Sequence, residues 1–145
     1  MNHHLVLRVV SKMLIPPILL FALYVQFHGD YGPGGGFQAG VIFAAAFILY
    51  ALVFGLETAR RVVPEGMVRA TMAVGLMIYA GVGFAGLLLG GNYLNYSVLA
   101  EKQQAGQHLG ITLIEFGVGT TVAAVMITIF FAFAGRSALM SDEDW

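Results

Sequence analysis

This 145-residue chain contains no cysteine. That excludes a disulfide framework, thiolate zinc sites, covalent haem attachment and iron–sulfur ligation by the chain itself. Charge is scarce as well: seven Lys and Arg and eight Asp and Glu make up 10% of the residues, where a soluble domain carries about a quarter. The formal net charge of −1 offers no basic surface to a nucleic acid. No Ser/His/Asp set and no paired carboxylates suited to acid–base catalysis stand out, and the adjacent His3 and His4 are poorly spaced for a metal. The chain is therefore expected to be neither an enzyme nor a holder of a metal or cofactor.

Apolar residues fill that space, at 59% of the chain with a mean hydropathy of +0.82. A chain of this length supports one domain. A small domain exposes too much surface to hide so much apolar area from water, so lipid is its economical solvent. Spanning a core of about 30 Å takes about 20 mostly apolar residues in a helix. Four segments qualify, at roughly 9–27, 40–56, 67–90 and 109–134, followed by an acidic tail at 135–145. The expectation is one all-α integral membrane domain over residues 1–145 with four transmembrane helices. The first segment resembles a signal peptide, with Arg8 and Lys12 ahead of an apolar run. No small-residue cleavage site follows it, so it reads as a retained helix. Pro16 and Pro17 are expected to break or kink it.

Cations set the orientation of such a chain. Arg8, Lys12, Arg60, Arg61, Arg69 and Arg136 fall on one side and only Lys102 on the other. Both termini are expected in the cytoplasm, with the first and third loops facing outward.

Two glycine motifs imitate nucleotide sites. GVGFAG at 81–86 matches G-x-G-x-x-G but lies inside an apolar span, with no strand before it. Small residues there suit close helix packing, with Gly83, Gly86 and Gly90 as the packing candidates and Gly75, Ala80 and Ala85 beside them. The stretch HGDYGPGGGFQAG at 28–40 holds six glycines, yet it lacks the Lys-Ser/Thr of a phosphate loop. Pro33 followed by three glycines joins rigidity to positive-φ freedom. Such a backbone suits folding back at the bilayer edge or lying against another chain, with Phe37 as an anchor.

Glu115 lies about six residues into the fourth segment, roughly 9 Å deep at 1.5 Å per residue. A carboxylate at that depth marks a functional site by default. His108, Thr112, Glu115 and Gly119 follow 4, 3, 4 spacing and share one helix stripe. Two readings stand: a proton- or cation-relay carboxylate, or a Glu held by hydrogen bonds to keep helices in register. Its nearest partners by topology are His108 on the same stripe and His28 and Asp30 in the outer loop. Lys12 is expected to snorkel toward the inner headgroups, with a lesser chance of lining an ion path. The ion-path candidates are Glu115, His108, Thr112 and Lys12.

The loop from His28 to Phe37, with IEFGVGTTVAAVMITIF from Ile114 to Phe130, resembles the MnhB/MrpB family, the small B subunits of Mrp-type multisubunit Na+/H+ antiporters. The likeness covers nearly the whole chain. It implies a subunit of a hetero-oligomeric secondary transporter in a bacterial inner membrane, exchanging cytoplasmic Na+ for outside H+ beside other Mrp subunits. Pro33, Gly34, Gly35, Gly36 and Phe37 match the family's signature loop, and Glu115 matches its acidic position in the fourth helix, where many relatives carry Asp. The order His28-Gly29 departs from the Gly-His pair expected ahead of the signature. The alternatives are a purely structural assembly subunit and a membrane subunit of a redox-driven, hydrogenase-type ion pump.

Overall fold

The computed structural model describes residues 5–29 and 32–137. Among the described residues the helices are α1 (Leu5–His28), α2 (Gly36–Phe54), α3 (Leu56–Val62), α4 (Glu65–Leu88) and α5 (Gln103–Ser137), with a 3₁₀ turn at Tyr96–Leu99. Four of them, α1, α2, α4 and α5, are long and apolar enough to cross a membrane. The four expected spans are all present, and the fold is all-helical among the described residues. Asp30, His3, His4 and most of the acidic tail lie outside them.

The helix ends differ from the hydropathy boundaries for a simple reason: hydropathy locates lipid, not the end of a helix. α5 begins at Gln103, several residues before the apolar run, because the polar Gln103–His108 stretch continues the helix. At 35 residues it is about 52 Å long at 1.5 Å per residue, well beyond the ~30 Å core. The second loop is largely helical. It turns at Gly55, whose φ is +94°, runs through α3, and stops at Val63 ahead of Pro64, as the residue before a proline is pushed out of the helical region. The proline pair does not break α1, which continues from Leu5 to His28. The loss is confined to the bonds that Pro16 and Pro17 cannot donate, a defect membrane helices tolerate.

The spans pack as a row, α1 on α2, α2 on α5, α5 on α4. Chain direction makes α1–α2 and α4–α5 antiparallel pairs, whereas α2 and α5 run parallel at the centre. Lipid gives little hydrophobic drive to bring helices together, so close van der Waals contact must do it. The central seam is accordingly small-sided. Gly36, Gly40 and Ala44 on α2, four residues apart, are buried against α5, where Gly119, Val122 and Ala124 meet them. Toward the other end the seam widens into a core of Ala44, Ala51, Ala59, Val68, Ala124, Ile127 and Phe131. On the far side of α5, Gly75 of α4 rests on Thr121 and on the Gly117 carbonyl.

Candidate functional site

The chain leaves α1 at His28 and has reversed by Gly35, just before α2 starts. Two backbone bonds pin the reversal to α1: the Gly35 N–H donates to the Val25 carbonyl and the Gly32 N–H to the His28 carbonyl, each at 3.1 Å. Gly35 caps α2 with φ +113°, a conformation L side chains rarely adopt. The reversal closes over Glu115. A methyl added at Gly29 would sit 2.9 Å from Oε2 and 3.1 Å from Oε1 of Glu115, and one at Gly35 would sit 3.1 Å from Oε1. Gly36 is tighter still, its Cα resting against the Glu115 carbonyl. The glycines thus form a collar of bare backbone around a half-buried carboxylate.

Gln26 sits beneath the collar, only 8% exposed, with its Oε1 beside Gly119, one turn beyond Glu115. It lines a mostly apolar cavity of about 190 Å³ together with Gly40, Phe43, Thr71, Phe116 and Thr120. His28, half-buried, stacks on Tyr24 at 4.9 Å between ring centres and has Gly32 across its Nε2.

The description "Domain related to MnhB subunit of Na+/H+ antiporter" fits residues 6–128, which include the collar, Gln26 and Glu115. The chain belongs to the MnhB family. Among its relatives, a Staphylococcus haemolyticus protein carrying the name antiporter subunit mnhB2 is 34% identical over 141 residues, covering 92% of this chain and 96% of that one. A Staphylococcus aureus protein of the same name, from strain Newman, is 34% identical over 137 residues with the same coverage.

Within this MnhB domain the sequence candidates separate. Glu115 and the signature glycines come together. His108 and Thr112 lie toward the start of α5, where His108 is exposed and the Thr112 hydroxyl donates to the His108 carbonyl at 2.8 Å. Lys12 is at the opposite end, its Nζ 5.5 Å from the centre of the Phe54 ring, so it does not join Glu115. Pro33 and Phe37 are exposed, Phe37 by 62%, so most of the ring is left uncovered by the described residues.

The proposed packing glycines of α4 do different work. Gly83 lies under the Tyr93 ring and Gly86 against the backbone of Asn92 and Asn95. Gly90 is past the helix end, with φ +82° and open space around it. Gly83 and Gly86 thus seat the α4–α5 connection. GxxxG spacing cannot tell such a seat from a helix–helix face, since both need a missing Cβ.

Sequence reasoning passed over Gln26 and the Gly36–Gly40 seam. A glutamine one turn before the glycine loop, at the end of an apolar run, was the available signal for the first. Glycines four apart across the loop's end were the signal for the second.

Proposed function

We infer that this chain is the small membrane subunit of a multisubunit Na+/H+ antiporter, embedded with both termini cytoplasmic, and that Glu115 within its glycine collar belongs to the ion path of the complex. The observation that carries the reading is the contact of the Glu115 carboxylate with the backbone of Gly29 and Gly35. A carboxylate within a membrane is costly. A sheath of backbone without side chains lets small ions or water reach it from the side where a neighbouring subunit would dock. His108 and Thr112, on the same stripe toward the start of α5, extend that route outward, and Phe37 on the outer face of α2 meets the neighbour. Na+ and H+ are the ions that the antiporter role supplies. Lys12 stands apart and serves the cation-rich end.

A purely structural reading rests on Gly36 and the Glu115 carbonyl, which hold α2 to α5 whatever the carboxylate does. Glu115→Gln separates the two, because it removes the charge and keeps the backbone contact. In everted vesicles with the complex assembled at normal levels, the ion-path reading expects Na+/H+ antiport to fall at least tenfold, with Glu115→Asp retaining part of the rate. Full antiport from assembled Glu115→Gln complex leaves the structural reading alone standing.

A further inference from the structure

At the end of the row away from the collar, Arg60 of α3, Glu65, Val68 and Arg69 of α4, and Thr128, Phe131 and Ala132 of α5 line a pocket of about 280 Å³. Arg60 reaches from α3 to α5, where its guanidinium lies beside Gly135. Its Nη2 donates to the Phe131 carbonyl at 3.3 Å and lies 3.4 Å from a Glu65 carboxylate oxygen, while the guanidinium carbon stands 5.9 Å over the Phe131 ring. A guanidinium has five N–H donors. Here Nε is buried without a hydrogen-bond partner among the described residues, and Nη1 carries neither of the contacts just given. Arg69, one helical turn from Glu65, faces the same pocket, and no ion pair holds it among the described residues. One carboxylate against two guanidinium groups leaves the pocket with a net positive charge.

Depth decides what could use that charge. The midpoint of α5 falls near Thr120, so ten residues to either side mark the edges of a ~30 Å core at 1.5 Å per residue. Phe131 stands at that edge, where lipid phosphates lie. Below it, Val68 and Phe131 give an apolar wall for the start of an acyl chain. This is also the cation-rich end, with Arg8, Lys12, Arg61 and Arg136 at the same level by sequence.

We propose that the Arg60–Arg69 pocket binds the phosphate of an anionic phospholipid in the adjoining leaflet. Arg69 and the Nη1 group of Arg60 meet the phosphate oxygens, a match that guanidinium geometry favours. Thr128 contributes less, because its hydroxyl proton already goes to the Ala124 carbonyl at 2.8 Å. The site is independent of the role given to Glu115.

The test counts phospholipid retained by the antiporter complex purified in mild detergent, using native mass spectrometry and phosphorus assay. Wild type is expected to keep phosphatidylglycerol or cardiolipin through washes that strip phosphatidylcholine. Arg69→Gln, which removes no contact of the fold, is expected to cut that retention about fivefold. Ala132→Phe, which fills the pocket without changing charge, is expected to cut it comparably, and the exposed Arg61→Gln to leave it unchanged. Wild-type retention by the Arg69→Gln or the Ala132→Phe complex overturns the proposal. So does a thermal shift in which inorganic phosphate alone stabilises the complex as much as phosphatidylglycerol, since the ligand would then be a free anion.

Discussion

Not all glycines of this chain are equivalent, and their neighbours predict which tolerate a side chain. At Gly36 a methyl would overlap the Glu115 carbonyl, with backbone on both sides of the clash. Overpacking of this kind costs about 1–3 kcal/mol where neighbours yield, and here they are two main chains. At Gly81, inside α4, nothing lies within 4 Å of the same methyl, and replacing a helical glycine by alanine is worth up to about 1 kcal/mol. Gly36→Ala is therefore expected to lower the yield of folded complex several-fold, while Gly81→Ala leaves it equal or slightly higher; detergent-solubilised size-exclusion profiles report both. Phe37 presents the opposite case. With 62% of its surface exposed at the start of α2, Phe37→Ala is expected to leave the chain inserted at wild-type levels and to reduce recovery of partner subunits or antiport, and Pro33→Gly to do the same by loosening the reversal. Fully active, fully assembled mutant complexes would show this loop to be a turn and nothing more. The carboxylate and the loop were each legible in the sequence. Their contact was not, because 79 positions separate Gly36 from Glu115 and only the parallel packing of α2 on α5 brings them together.

Between elements, the connection from α4 to α5 is more ordered than its composition suggests. Asn95 accepts a bond from the Ser97 N–H at 3.2 Å and also takes the Ser97 hydroxyl, nucleating the 3₁₀ turn. The Tyr96 ring then lies on Gly110, Tyr93 lies on Gly83, and Phe84 meets Tyr93 edge-on at 6.0 Å between centres. Burial first, then the neighbouring Tyr79 and Tyr93, hold the Tyr96 phenol above its ordinary 10.0. A group raised in this way favours the fold while it stays protonated. Its contribution is complete below pH 10, the unfolded value, and disappears as pH climbs from there through the folded one. Proteolysis or hydrogen exchange between Gly91 and Lys102 is thus expected to accelerate above pH 10 in wild type and to show a flatter pH response in Tyr96→Phe. Hydropathy found the four spans because they are long and apolar. It missed α3 and the 3₁₀ turn because short interfacial elements carry mixed residues, and their order comes from glycines and rings that meet only in the folded chain.

At the scale of the molecule, a row of helices in the order α1, α2, α5, α4 leaves broad apolar faces. On α1 alone Leu20, Phe21, Tyr24 and Phe27 are exposed, as suits contact with lipid or with the other subunits of an antiporter. The two ends of the row also differ in chemistry, with a carboxylate among glycines at one and guanidinium groups at the other. The row order has a consequence for biogenesis. In chain order α1, α2 and α4 all precede α5, so the seat between α2 and α4 stays vacant until α5 arrives. α5 then enters as a central wedge, making the α2 seam, the α4 contact and the carboxylate collar in one step. A nascent chain stalled before α5 would hold the α1–α2 pair and no site, so α5 is the helix that commits this fold to its shape.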